Sequence, residues 1–405
     1  MVSAAGSLRA DDASAAGFDR ARLQRVDAAI QKDIDAQQLA GAVMFIARDG
    51  KPVELHALGL RDVDAKEPMT TDTIFRIASM SKAITTTAVM MLYEEGKLML
   101  HDPLSKYLPA FAHSVVAVAP PPNSPPGTAF TTVPAHRPIQ IHDLLTHTAG
   151  LTYGDGPAAE LYKKAGLFGW YFADKDETIG AVIDRLATLP LQGQPGEIWQ
   201  YGYSADVLGR LVEVISGEPL DQFFARHIFA PLKMTDTCFY LPPEKEARLA
   251  KVYGLQHGKL SLGDQGEYVH GPRKCFSGGA GILSTAHDYG RFLQMLLNGG
   301  TLDGVRLLSP KTVELMRTNA TGSLFHEKTG AFGLGFWVTT DLGRAGELGT
   351  VGAYGWGSAY FPQYVVDPQE HLIAFMLTQL LPAGGSTLNE RVKVLTYQAM
   401  VDVKE

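Results

Sequence analysis

The sequence predicts a two-lobed α/β (α+β) protein, in which an antiparallel sheet built from both chain ends is flanked by helices and interrupted by an inserted, mostly helical lobe. Three observations carry this. Short β-branched or aromatic runs gather near both termini, helical periodicity dominates the middle, and 405 residues suffice for two lobes at roughly 100 to 200 residues per domain. The expected boundaries are 1–102 with 278–405 for the sheet lobe and 103–277 for the helical lobe.

Near the N-terminus, FDRARLQRVDAAIQKDI places Leu23, Val26, Ile30 and Ile34 on one face of an amphipathic helix. GAVMFIARDGKPVELHALGL then reads as a hairpin about Asp49-Gly50, the dipeptide suited to a tight two-residue turn. At the other end, LGFWVTT (334–340), GSAYFPQYVVD (357–367) and HLIAFMLTQ (371–379) read as strands, and TLNERVKVLTYQAM aligns Leu388, Val392, Leu395 and Ala399 as a closing helix. Between them the signals are helical: Ile179, Val182, Ile183 and Leu186 before Pro190, then Val207, Leu208, Leu211 and Ile215 before Gly217. APPPNSPPG, with five prolines at 120–126, reads as a stiff solvated loop rather than a proline-recognition ligand. No internal repeat is evident.

Hydrophobic residues at 45% and charged residues at 20% are ordinary globular values, which argues against disorder. A net charge of −7 without a basic cluster argues against nucleic acid as a partner. Cys238 and Cys275 are the only cysteines, too few for a disulfide scaffold, and a reducing compartment is expected. MVSAAGSLRADDASAAGF lacks the basic and apolar regions of a secretory signal, and no run approaches the roughly 18 apolar residues of a membrane span. The expectation is a cytoplasmic protein with no membrane partner.

Chemistry enters at RIASMSKAITT, residues 76–86, where Ser79 precedes Lys82 by three positions on an otherwise nearly uncharged stretch. A buried ammonium loses hydration worth several kcal/mol unless it is paired or neutralised, so it needs a partner or a task. On a helix beginning near Ser79 the two side chains share a face. The first turn also presents unpaired N–H groups and the positive dipole end to charge forming on the serine oxygen. Lysine serves a serine nucleophile as base only as the neutral amine, which apolar neighbours such as Ile77, Ala78, Ala83 and Ile84 favour. By itself S-x-x-K is weak, since a chain this long contains on the order of one by chance, and a helix-capping serine beside a surface lysine is the plain alternative.

The other segments raise it. FRIASMSK, IHDLLTHTAGL (141–151), PGEIWQYGYSADVLGRLVEVISGEPL (195–220), FAPLKMTDTCF, GGAGILSTAHDY, LLSPKTVELM and YGWGSA occur in that order. Together they resemble the serine β-lactamase and penicillin-binding-protein superfamily, most closely its β-lactamase-like (family VIII) carboxylesterases, over about residues 20 to 380. The resemblance implies a β-lactamase/transpeptidase-like fold, Ser79 as nucleophile and Lys82 beside it. It also implies a tyrosine shortly after a P-G turn, here Tyr201 in PGEIWQY, sharing a proton with Lys82 and Ser79. Tyr203 is the rival tyrosine, but it occupies the asparagine position of the family's Y-x-N and is assigned with Asp206 to the substrate side; for Asp206 a helix-start carboxylate is the alternative.

The family's third element is K-T-G on a strand. A literal Lys328-Thr329-Gly330 exists, but in a polar stretch before the LGFW strand. Trp356-Gly357-Ser358, ahead of Val366-Asp367-Pro368, has the implied context and departs from the esterases' W-G-G only at Ser358. An indole supplies no charge for the carboxylate of β-lactams and D-alanyl peptides, so uncharged esters are the expected substrates. The resemblance implies an oxyanion hole from the backbone N–H groups of Ser79 and Ala359.

Aromatic residues crowd these segments, including Tyr153, Trp170, Trp199, Trp337 and Trp356; most are expected to be core, and a subset, Tyr153 and Trp356 foremost, to line an apolar acyl or alcohol pocket. GYSAD (202–206) only approximates the G-x-S-x-G elbow, His142 and His147 lack a tight ligand set, and SGGAG (277–281) lacks a phosphate-loop context. No cofactor and no metal are expected. The resulting expectation is a serine carboxylesterase for small-molecule esters, with no oligomeric state implied. A β-lactamase or D-aminopeptidase/DD-peptidase, an acyltransferase, and a non-catalytic binding protein of the same fold are the alternatives.

Overall fold

The computed structural model describes residues 16–327 and 330–404. The stretch read for a secretory signal lies almost wholly outside the described residues, as do Lys328 and Thr329.

The central element is an eight-stranded, wholly antiparallel sheet. Its N-terminal strands are β1 (Gly41–Arg48), β2 (Lys51–Asp62) and β3 (Glu67–Pro68). Its C-terminal strands are β4 (Gly330–Phe332), β5 (Trp337–Thr339), β6 (Tyr354–Gly357), β7 (Gln363–Asp367) and β8 (Leu372–Leu377). The order across the sheet is β4-β5-β6-β7-β8-β1-β2-β3, so the chain ends meet where β8 pairs with β1, Val43 opposite Leu377 and Phe45 opposite Phe375. Asp49 and Gly50 close the β1–β2 hairpin with φ of 53° and 74°, both in the left-handed region that this tight turn requires.

Both faces of the sheet are covered, which explains why GAVMFIA (41–47) is apolar without interruption. Met44, Ile46, Ala374 and Met376 face helices α1 (Arg20–Asp35) and α6 (Leu388–Tyr397), meeting Leu23, Val26, Ile30, Leu388 and Val392. Val43, Phe45, Ile373 and Phe375 face the other way, toward α2 (Ser81–Glu94) and α5 (Ala286–Leu297), including Tyr289 and Phe292. Among the described residues, 103–277 contribute no strand to this sheet. They supply α3 (Ile179–Leu186), α4 (Ser204–Ser216) and shorter helices. They also supply two small ribbons, Val115–Val118 with Thr131–Pro134 and Tyr253–Gln256 with Lys259–Leu262, which helical periodicity did not anticipate. The first of these ribbons carries the proline loop.

One strand expectation is corrected. GSAYFPQYVVD is not one strand: Gly357 ends β6, Ser358 N–H donates to the Pro362 carbonyl across a turn, and only Gln363–Asp367 continues as β7. Phe361 at φ 85° and the missing N–H of Pro362 break the extended run. Among the described residues no helix is long and apolar enough to cross a membrane.

Candidate active site

Ser79 does not open an α-helix directly. It sits in a 3₁₀ turn, Ala78–Met80, that leads into α2, and Ala78 is held at φ 37°, a strained setting for an alanine. The turn still brings Ser79 and Lys82 together, with Lys82 Nζ 3.1 Å from Ser79 Oγ. Lys82 is buried, and its Nζ also donates to the Gly279 carbonyl at 2.8 Å. It lies 4.7 Å from the Tyr201 ring centroid and 5.8 Å from that of Tyr153. Two hydrogen-bond partners and two π-faces replace the lost hydration.

Tyr201 is therefore beside the Ser79–Lys82 pair, but its hydroxyl is engaged elsewhere. Trp356 Nε1 donates to Tyr201 Oη at 3.0 Å, and no other hydrogen bond to that oxygen occurs among the described residues. The expected direct sharing of a proton among all three groups is thus not present as hydrogen bonds in this state. The ring is fixed on its other sides by His147 at 4.7 Å, Tyr153 at 5.6 Å and Trp199 at 6.0 Å between centroids. His147, discounted above as a metal ligand, is a packing partner of Tyr201. Complete burial, with the nearby Lys82 charge, holds its imidazole well below the usual histidine range, so it is neutral at pH 7.

Ser79 opens onto a cavity of about 560 Å³. Trp356, Gly357, Ser358 and Ala359 form one side of it, and Tyr153 and Tyr201 another. Backbone N–H groups of Ser79 and Ala359 have no hydrogen-bond partner among the described residues. Ser358 Oγ accepts from Tyr360 N–H at 3.2 Å, which steadies the turn after β6. The Tyr153 hydroxyl is buried without a partner among the described residues. Gly330 begins the edge strand β4, two strands from β6, and Trp356, Gly357 and Ser358 line the cavity together with Ser79.

Two expected substrate contacts are corrected. Tyr203 is fully buried and donates its hydroxyl to the Gly169 carbonyl at 2.6 Å. Asp206, on α4, is buried behind the cavity wall, where its carboxylate accepts from Ser277 Oγ and, at 3.1 Å, from Gly279 N–H. Burial pushes its carboxyl up, opposed by the Ser277 hydrogen bond and then by the Lys82 charge. It holds the loop whose carbonyl receives Lys82. Gly279 is required there, since a Cβ would lie 2.6 Å from Asp206 Oδ2.

Sequence reasoning missed Phe325, Glu327 and Gln363, which line the cavity from loops and a strand end without any motif; Trp170 lines it as well, and Trp337, read as core, is buried in the core and also reaches the cavity. Among the described residues one group could hold a metal ion, Asp27, Glu54 and His56, but it lies between α1 and β2 and takes no part in the cavity.

The β-lactamase family profile matches residues 26–397, nearly the whole fold just described. The chain belongs to the β-lactamase family. Esterase EstB from Burkholderia gladioli is 31% identical over 398 residues, covering 93% of this chain and 95% of its own. A putative D-alanyl-D-alanine carboxypeptidase of Escherichia coli O157:H7 is 29% identical, over 90% of this chain and 83% of its own. Among solved structures, EstCE1, a hydrolase with promiscuous acyltransferase activity, superposes with a TM-score of 0.80 at 29% identity, over 94% of this chain and 99% of its own. Membership makes this protein a serine hydrolase, with esterases among its relatives.

Proposed function

We propose that this protein is a carboxylesterase that hydrolyses small esters through an acyl-enzyme on Ser79. The observation that carries the reading is Lys82 Nζ at 3.1 Å from Ser79 Oγ on the floor of an apolar cavity. Ser79 Oγ attacks the ester carbonyl carbon and its proton passes to Lys82 as neutral amine, while the carbonyl oxygen takes up charge beside the Ser79 and Ala359 N–H groups. Collapse of the tetrahedral centre breaks the bond to the alcohol, which leaves with a proton supplied through Lys82 or Tyr201. Water, deprotonated by the same groups, then releases the acid and restores Ser79.

Trp356 supports esters over the carboxylate-bearing substrates of lactamases and peptidases, since it offers a neutral donor where those enzymes offer a lysine. EstB and EstCE1 point the same way. Acyl transfer to a second alcohol uses the same intermediate and remains the alternative that EstCE1 favours. The two cysteines are free thiols, in keeping with a cytoplasmic setting.

The test compares p-nitrophenyl acetate and butyrate with nitrocefin, on the native protein and on Ser79→Ala. Ester turnover abolished by the substitution supports the proposal. Nitrocefin turnover alone would make the protein a lactamase, and activity surviving Ser79→Ala would place the nucleophile elsewhere.

A further inference from the structure

The cavity over Ser79 has an uneven electrostatic lining. Tyr153, Trp170, Phe325, Trp337 and Trp356 all contribute to its wall, and among the described lining residues the one charged side chain is the exposed carboxylate of Glu327. Among the described residues, three cations near this wall are engaged, Arg344, Lys82 and Lys393, and Arg344 Nη2 donates to the His326 carbonyl at 3.3 Å. Lys82 is buried beneath Ser79, bonded to Ser79 Oγ and the Gly279 carbonyl. Lys393 lies against the Trp337 ring, 5.4 Å from its centroid, and is paired with Glu347 at 3.0 Å. Aromatic faces carry negative quadrupole potential, and a carboxylate adds to it. Such a wall repels anions, tolerates neutral groups and attracts a weakly hydrated cation, the combination that recognises ammonium groups elsewhere.

Resting on the proposed esterase reading, we infer that this site prefers esters bearing a positive charge, a quaternary or protonated amine on the alcohol or acyl part, over neutral esters of the same shape. Glu327 is the specificity-determining residue and the indoles supply the remainder. The preference differs from mere apolar fit because a trimethylammonium group and a tert-butyl group have nearly the same size and differ in charge.

Choline and 3,3-dimethyl-1-butanol form that matched pair. Isothermal titration of the full chain and of Ser79→Ala should show choline binding about tenfold more tightly, equivalent to about 1.4 kcal/mol. Choline should also inhibit p-nitrophenyl butyrate turnover competitively, and Glu327→Gln should reduce the tenfold ratio to about threefold or less. Acetylcholine should exceed 3,3-dimethylbutyl acetate in kcat/KM by a similar factor. Equal or tighter binding of the neutral alcohol, no measurable choline binding, choline that fails to compete, or a ratio unmoved by Glu327→Gln would each overturn the inference. Titration of Ser79→Ala keeps the outcomes separate: ester turnover that survives the substitution ends the serine mechanism, while the binding ratio still reads the cavity.

Discussion

Replacing Trp356 by phenylalanine removes one hydrogen bond and keeps an aromatic ring in the cavity wall. In the native structure the indole N–H is the single donor to Tyr201 Oη among the described residues, at 3.0 Å. A neutral hydrogen bond contributes roughly 0.5 to 1.5 kcal/mol, and one to a charged group roughly 1.5 to 3 kcal/mol. If Tyr201 only packs against the substrate, its activity should fall by roughly 2- to 10-fold on those figures. If negative charge develops on the phenol oxygen as it passes a proton to the leaving alcohol, the loss should be roughly 10- to 150-fold and should appear in kcat. The second outcome is expected. Steady-state kinetics with p-nitrophenyl butyrate separate the two, and a thermal melt checks that Phe332 and Tyr201, the rings that touch Trp356, still pack. Histidine at 356, which restores an N–H donor, should recover part of the loss. An unchanged kcat with a raised KM would refute the reasoning, because Trp356 would then be cavity wall and nothing more.

The remaining predictions concern the support behind the site. Gly279→Ala forces a Cβ to 2.6 Å from Asp206 Oδ2, so the loop must move and carry its carbonyl away from Lys82; kcat should fall about 100-fold with KM little changed, as misplacement of this kind typically costs. Asp206→Ala strips the hydrogen-bond acceptor from Ser277 Oγ and Gly279 N–H in a dry interior and should lower stability by about 3 kcal/mol in urea unfolding, more than an exposed carboxylate would. His147 is neutral in the fold because burial depresses its protonation, whereas the unfolded chain binds a proton below about pH 6.5. Its contribution to stability is therefore full above that pH and is lost as the pH falls, by up to about 1.4 kcal/mol per unit. Urea titrations of His147→Asn from pH 7 to 5 should show a shallower slope, and an equal slope would place the acid sensitivity elsewhere.

How much of this was legible in the sequence depended on the range of the interaction. The Ser79–Lys82 contact is local, three residues apart on a tight turn, and spacing alone brings it out. The Asp49-Gly50 hairpin and the helices α1 and α6 are local too. The bond from Trp356 to Tyr201 joins positions 155 residues apart, and only the superposition of motif order on a known fold placed both near Ser79. Tyr203 and Asp206 were misjudged by sequence proximity. Two and five residues after Tyr201, they lie at the N-cap and inside the first turn of α4, where the chain has already turned toward the core. Glu327 and Phe325 come from a connection without periodicity, so no pattern marked them as part of the cavity. The break within GSAYFPQYVVD was visible in Pro362, but alternation of large residues across it masked the turn.

The buried lysine of RIASMSKAITT also explains why a tryptophan suits position 356. Lys82 already places one amine in the wall behind Ser79, engaged by the Gly279 carbonyl, by the faces of Tyr201 and Tyr153, and at one remove by Asp206. A lysine at 356 would bring a second amine within reach of the same phenol and offer an anchor for anionic substrates. The indole still donates to Tyr201 Oη, yet it adds no charge and contributes an aromatic face to the cavity. The phenol is thus oriented by a neutral donor, Lys82 is left as the one amine beside Ser79, and the cavity takes its remaining polarity from Glu327 and the rings. Substrate charge preference and proton transfer are therefore coupled through one side chain, and Trp356→Lys should shift both together, toward anionic substrates and away from neutral or cationic esters.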